Sequence, residues 1–206
     1  MESTLRAAAG APDLRLIETL AWDGTAFVRL DLHLARLARS AGQLGWHGGD
    51  AHAALLARVP AHPARCRLTL APAGSIEVTF AAMPAIPTVW RLGLARDRLQ
   101  SADPWLTVKS TNRAAYDTAR AALPAGLDEV IFQNERGEVC DGSITTLFYD
   151  RGDGLRTPPL RSGLLPGVLR AQMALPEAVL LADDLPNVQL WVGNSLRGLI
   201  PAVWAA

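Results

Sequence analysis

Apolar positions along the 206-residue chain fall into short stretches of two different periods, which predicts strands and helices in alternation. Leu14–Trp22 reads as a strand, Asp23-Gly24 as a tight turn, and Phe27–Leu30 as the returning strand. Asp31 has the chemistry of a helix N-cap, and Leu30, Leu34, Leu37, Ala41 and Leu44 recur at helical spacing until Gly45 stops the run. On this helix His33 and Arg36 lie three apart on one face, displaced from the leucine stripe. Spacing alone makes Arg36 a solvated surface arginine. A second short helix is predicted from Asp50 to Val59. Arg65–Leu70 and Ser75–Phe80 flank Pro72-Ala-Gly74 as another hairpin. Residues 1–12 are small and polar and read as a frayed end.

Met83-Pro-Ala-Ile-Pro87 breaks the periodicity and is taken as a linker. It divides the chain into a domain over 1–84 and another over 90–206. The second half opens with a strand at Val89–Leu94. An apolar, strand-like run, Trp105-Leu-Thr-Val, then carries Lys109 at its end, and Ser110-Thr-Asn-Arg113 follows. A helix is expected over Arg113–Ala122, strands at Asp128–Gln133, Glu138–Asp141 and Leu147–Tyr149, and a helix launched by Gly163-Leu-Leu-Pro-Gly167. The chain closes with Gln189–Val192, a polar turn at Gly193-Asn-Ser195, and Leu196–Trp204.

Half the residues are hydrophobic and the formal net charge is zero, so charge offers no reason to expect nucleic acid or an anionic membrane as partner. No run is long enough to span a bilayer, and the N-terminus lacks a signal pattern, which predicts a cytoplasmic location. Cys66 and Cys140 sit far apart in apolar contexts and read as reduced thiols in a cytosolic protein, with a disulfide between them the alternative that sequence leaves open. The four histidines show no metal-ligand spacing, so no metal site is expected.

Lys109 stands out. Of 20 basic residues it is the single lysine. Arginine cannot give up its proton, whereas a partly buried lysine shifts its pKa readily. Composition leaves two readings open: an arginine bias that spared one lysine, or an amine retained for chemistry. The Gly167 loop offers helix N–H groups to an anion, a weak signal by itself.

The ordered set is more specific than its parts. Lys109-Ser-Thr-Asn-Arg113, Asp128-Glu-Val-Ile-Phe, Asn134-Glu-Arg-Gly-Glu-Val, Asp141-Gly-Ser-Ile-Thr-Thr-Leu-Phe, Thr157-Pro-Pro-Leu and Gly163-Leu-Leu-Pro-Gly-Val-Leu-Arg resemble, in that order, the fold-type IV enzymes that use pyridoxal 5′-phosphate (PLP). Within that family Lys109–Arg113 and Asn194-Ser-Leu-Arg-Gly198 look most like the aminodeoxychorismate lyases. The resemblance implies an α+β fold with a small N-terminal α+β domain, shortened relative to the family, and a larger C-terminal α/β barrel-like domain carrying the lysine. It implies PLP in the cleft between the domains, a small-molecule amino substrate and a homodimer. It makes Lys109 the Schiff-base lysine and Arg36 the arginine that holds the cofactor phosphate. The backbone of Val168 and Leu169 becomes the phosphate-binding turn, and Asn194 and Ser195 supply further phosphate or substrate contacts.

Asp141 falls where the family places a glutamate against the pyridine nitrogen. Its side chain is one methylene shorter, which predicts a displaced or weakened contact. The activity the resemblance implies is conversion of 4-amino-4-deoxychorismate to p-aminobenzoate and pyruvate. The alternatives are a class IV aminotransferase acting on branched-chain or D-amino acids, and a non-catalytic relative of the same fold.

Overall fold

A computed structural model describes residues 2–47, 49–85 and 87–205, apart from the side chains of Glu2 and Ser3. The chain divides into two compact units: Met1–Ala85 together with Val108–Asn112, and Ile86–Thr107 together with Arg113–Ala206. The segment carrying Lys109 therefore belongs to the first unit, not to the C-terminal half where the sequence reading placed it. Backbone pairing is the cause. Ile17 donates its N–H to the carbonyl of Lys109 at 2.9 Å, and Thr111 donates to the carbonyl of Arg15 at 2.9 Å.

The first unit holds an antiparallel sheet of β1 (Leu16–Trp22), β2 (Ala64–Leu70) and β3 (Ile76–Ala81), in that order. Along β2, Ala64, Cys66, Leu68 and Leu70 are buried while Arg65 and Arg67 are exposed, the alternation of a sheet with one covered face. Helix α1 (Glu2–Ala8) occupies part of the stretch expected to fray, with Leu5 and Ala9 buried; the Trp46 indole N–H donates to the carbonyl of Ala9. Helix α2 (Leu30–Leu44) begins one residue before the expected cap. Arg29, with φ of 60°, takes the cap position, and Gly45 ends the helix in the left-handed region. No strand returns at Phe27–Leu30; a single bridge joins Trp22 to Phe27 before the chain turns into α2. Helix α3 (Ala51–Leu56) is capped by Asp50, whose carboxylate accepts the N–H of Ala53.

The second unit is built on one mixed seven-stranded sheet. Its strands are β4 (Trp90–Leu94), β5 (Glu129–Gln133), β6 (Val139–Gly142), β7 (Thr146–Asp150), β8 (Leu155–Arg156), β9 (Gln189–Asn194) and β10 (Gly198–Trp204). The spatial order is β6-β5-β4-β10-β9-β7-β8. Strands β6 and β7 are consecutive in sequence yet five positions apart in the sheet. Laid flat, that is about 24 Å, whereas the four residue steps from Gly142 to Thr146 reach at most about 14 Å. The sheet must curl until its β6 edge meets β7, and residues 143–145 close the gap. This half-barrel encloses a core of Leu92, Ile131, Val139, Leu147, Tyr149, Leu190, Val192 and Ile200. Helix α4 (Ala114–Ala121) and a second cluster including Phe132, Cys140 and Leu164 pack outside it; α5 (Val168–Met173) lies against β9. Residues Pro104–Thr107 form a 3-10 turn, not the strand expected before Lys109, and only Ser110 bridges to a strand, at Leu16.

Candidate active site

In the first unit β1 frames the lysine. Residues 15–17 pair with 109–111 through the backbone, and Arg15 N–H also reaches the Thr111 hydroxyl at 2.9 Å. Lys109 is half-buried. The next residue of β1, Glu18, lies on the same face as Leu16 and Leu20 and is 2% exposed. A carboxylate on an apolar face needs partners, and α2 supplies them. Arg36 donates from Nε to Glu18 Oε1 at 2.8 Å and from Nη2 to Oε2 at 2.5 Å; His33 Nδ1 lies 2.6 Å from Oε2.

Arg36 and His33 are both buried, so the face of α2 turned inward runs through His33, Arg36, Leu37, Ser40, Ala41 and Leu44. Spacing made Arg36 a surface residue; the buried carboxylate draws it in. Burial alone would raise the Glu18 pKa, but the Arg36 charge and the hydrogen bonds from Arg36 and His33 bring it below the ordinary 4.5. Burial lowers the His33 pKa from 6.5, aided by the positive charges of Arg36 and Lys109 and opposed by Glu18. A neutral imidazole beside an ionised carboxylate carries its proton on Nδ1 and donates it to Glu18.

In the second unit Asp141 ends β6 and is 5% exposed. Its Oδ1 accepts the Tyr116 hydroxyl at 3.2 Å and its Oδ2 accepts the N–H of Leu165 at 3.2 Å. Tyr116 rests edge-on against Phe132, with the Arg113 guanidinium 5.4 Å over its ring. Burial and the adjoining carboxylate raise the phenol's pKa, so it stays a donor.

Behind Asp141, Glu129 on β5 is fully buried. It accepts the Ser143 hydroxyl at 2.5 Å, the Ile144 N–H at 3.1 Å and the Thr145 hydroxyl at 3.0 Å. One carboxylate thus organises the whole crossing from β6 to β7. Gly142 is required there, since a Cβ would run into Thr145 Oγ1 and lie 2.9 Å from Glu129. Arg113 adds a bond to the Ser143 carbonyl at 2.8 Å.

Val168 and Leu169 are buried in the first turn of α5, after Gly167. A Cβ on Gly167 would stand 2.7 Å from Thr146 Oγ1, so the glycine lets the helix start come hard against β7. Asn194 ends β9, paired with Gly198, and Ser195 opens the turn to β10. The Asn194 carboxamide is committed within the fold: Nδ2 donates to the Ile144 carbonyl, and Oδ1 accepts from Leu196 and Arg197. That side chain pins the turn to the crossing. Ser195 is buried beside it.

The structure thus gathers Arg36 and Lys109 in one unit, and Asp141, Val168, Leu169, Asn194 and Ser195 in the other. Sequence reading missed Glu18, Tyr116 and Glu129. Glu18 had a signal: strand alternation places an acid among Leu16 and Leu20. Among the described residues no cluster of three His, Cys, Asp or Glu could hold a metal, and no helix is long and apolar enough to cross a membrane.

Residues 15–203 match the amino-transferase class IV family, and the chain belongs to it. A Schizosaccharomyces pombe protein provisionally named an aminodeoxychorismate lyase is 30% identical, over 91% of this chain and 88% of its own. A Mesorhizobium loti structure provisionally described as an amino-acid aminotransferase is 44% identical, with TM-score 0.86, covering 94% of this chain and 100% of its own. A Mycobacterium tuberculosis structure provisionally described as an aminotransferase, in a PLP-bound form, shares the fold at 21% identity and TM-score 0.77, covering 96% of this chain and 83% of its own. The fold is that of the fold-type IV enzymes and the family's cofactor is PLP. The residues present fit that group chemically: a half-buried amine, a buried guanidinium for a phosphate, a buried carboxylate for a ring nitrogen, and a glycine-cleared helix start.

Proposed function

We propose that the chain is a PLP-dependent lyase that converts 4-amino-4-deoxychorismate to p-aminobenzoate and pyruvate. The observation that carries this reading is the near full-length similarity to the Schizosaccharomyces pombe protein; the single lysine, Lys109, and the buried Asp141, at the motif positions the resemblance assigns to the Schiff-base lysine and the ring-nitrogen acid, support it.

Bound PLP supplies an aldehyde for amines and an electron-withdrawing ring. Lys109 is the attachment residue, and once displaced by the substrate amine its Nζ removes the proton from the amine-bearing ring carbon. Asp141 holds a proton on the cofactor's ring nitrogen. Tyr116 and Leu165 N–H hold that carboxylate in place. Arg36 and the Val168–Leu169 backbone take the phosphate, with Ser195 nearby on the β9–β10 turn. Loss of the substrate's enolpyruvyl group, which takes up a proton to become pyruvate, leaves an aromatic ring. Aromatisation supplies driving force, so the shorter Asp141 is tolerated here better than a transamination would tolerate it. We take the working protein to be a homodimer in the cytoplasm.

A second reading has its own support. The Mesorhizobium loti relative, at 44% identity, is described as acting on amino acids, which favours transamination through the same Lys109. One experiment separates the two. Purified protein loaded with PLP is given 4-amino-4-deoxychorismate with no keto acid, and pyruvate is measured; in parallel it is given an amino acid alone and watched for the pyridoxamine spectrum. Pyruvate release supports the lyase. Pyridoxamine formation without pyruvate release supports the aminotransferase. A protein that does neither and takes no borohydride-fixed pyridoxyl mass at Lys109 has lost the activity altogether.

A further inference from the structure

We propose that Glu18 is a positioning residue for cofactor-phosphate binding, acting through Arg36, which it holds by a bidentate, buried carboxylate–guanidinium pair. The proposal rests on Arg36 being the phosphate ligand, and it gives a role to a residue outside the ordered motif set that points to the cofactor site.

Three observations carry it. The first is where Glu18 sits. It stands on the apolar face of β1, opposite Leu68 in the register and between Leu16 and Leu20, all of them buried. A carboxylate there costs free energy unless it is fully paired, so chance surface charge is a poor account of it. The second is the geometry. Nε and Nη2 of Arg36 bind the two oxygens of Glu18 at 2.8 and 2.5 Å, a fork-on-fork pairing that fixes the guanidinium plane. His33 Nδ1, at 2.6 Å, fixes Oε2 from the same helix one turn away. The carboxylate is therefore braced from both sides.

The third observation is the frame. The residue before Glu18 hydrogen-bonds the Lys109 carbonyl, so Arg15 and the first two positions of β1 hold the lysine segment and the next position holds the arginine. Lys109 and Arg36 are thereby fixed against the same short stretch of strand. His33 feels the charges of both.

Two effects oppose each other when Glu18 is neutralised. Loss of its negative charge favours an anion near Arg36. Loss of the fork frees a long side chain whose reordering must then come out of binding. In a packed interior where the fork sets the plane of the guanidinium, the second effect wins, and that makes the sign of the result diagnostic.

The test compares PLP with pyridoxal, which lacks the phosphate, by equilibrium binding to apo protein. Wild type prefers PLP, and Arg36→Ala loses that preference. Glu18→Gln is expected to weaken PLP binding roughly tenfold to a hundredfold while leaving pyridoxal binding unchanged, and Glu18→Gln adds nothing on top of Arg36→Ala. A merely structural role would weaken both ligands alike. An unchanged or increased PLP preference in Glu18→Gln, with Arg36→Ala still losing it, overturns the proposal and spares Arg36. A wild type without any preference for PLP, or an Arg36→Ala that keeps it, overturns the Arg36 assignment and this proposal with it. Should Glu18→Gln not fold, Glu18→Asp serves: it keeps the charge but is one methylene too short for the fork, so the PLP preference falls there too, and a wild-type preference in that variant overturns the proposal.

Discussion

The phenol of Tyr116 donates to Oδ1 of Asp141 at 3.2 Å, from a helix that begins five residues after Lys109. Asp141 stands where the family resemblance expects a longer glutamate, and its two oxygens are secured by different elements, Tyr116 on α4 and the Leu165 N–H in the loop before α5. The carboxylate's position is thus set by its donors as much as by its own strand.

Tyr116→Phe tests that dependence. It removes one hydrogen bond to a charged acceptor and keeps the ring against Phe132. A bond of that kind is worth about 1.5–3 kcal/mol, so turnover should fall roughly tenfold to a hundredfold with little change in melting temperature. Steady-state rates and a thermal melt on the same preparation decide it. Equal rates for both proteins would mean that the Tyr116 hydroxyl is not needed to place Asp141.

Most strand periods, the β2–β3 hairpin, the stop at Gly45 and the helix start after Gly167 were legible because each is a local effect of side chain and backbone on a few neighbours. The half-barrel was not, since it follows from edge strand β6 and the far-side strand β7, five positions apart in the sheet, being joined by three residues, a long-range fact no window shows. The helix-like face of Arg36 and the strand-like run before Lys109 misled for one reason. Both are decided by β1, which lies far off in sequence: Glu18 pulls Arg36 inside, and Leu16 and Ile17 take the backbone of Lys109 and Ser110. The roles proposed for Arg36, Lys109 and Asp141 rest on the ordered motif set. Glu18 and Glu129 carry no motif of their own, and only burial exposes them.

Gly193→Ala should destabilise the second unit. A Cβ there would lie 2.5 Å from the Gly198 carbonyl oxygen and 2.7 Å from Leu169 Cδ2. Backbone cannot swing aside as a side-chain tip can, so the hairpin or α5 must shift. Overpacking of this sort costs about 1–3 kcal/mol, a fall of roughly 2–12 °C in Tm for a domain of this size. Gly152→Ala is the matched control for a glycine with nothing near its Cβ, though its φ of 102° adds backbone strain. A Gly193→Ala protein as stable as wild type would show that the hairpin has slack the packing does not suggest.

The His33–Glu18 pair predicts an acid-side loss of stability in two windows. The folded His33 pKa lies below 6.5, so as pH falls through 6.5 the unfolded chain takes up a proton that the folded one refuses, and stability declines. Glu18 is also depressed, below 4.5, so its contribution is complete above that pH and drains away as pH falls further. Urea midpoints between pH 7 and 4 measure this. His33→Gln should flatten the upper window and keep a smaller lower one, since Arg36 still depresses Glu18. A stability that rises between pH 6.5 and 5 would contradict the sign.

Cys66 and Cys140 should be silent toward a thiol reagent in the native state. Both are fully buried, and burial pushes the Cys66 thiol up to about 12 and raises Cys140 as well. The thiolate is the reactive form, so labelling must wait for local opening. Two thiols should titrate in denaturant and neither promptly in buffer. Rapid native labelling at Cys140 would mean that the strand presenting Asp141 opens readily.

Lys109→Arg is the sharpest substitution for the chemistry, because it keeps the charge and close to the length. The backbone pairing of Lys109 with Ile17 does not involve the side chain, so the fold should survive. A guanidinium keeps its proton under any condition the protein withstands, so it can neither attach to an aldehyde nor accept the proton from the substrate carbon. The variant should therefore bind PLP without a borohydride-fixed mass on residue 109 and release no pyruvate above background. Residual turnover in a fully folded Lys109→Arg protein would place the base elsewhere. His33 would not be the next candidate, since its proton already sits between Nδ1 and Glu18 in a buried pair.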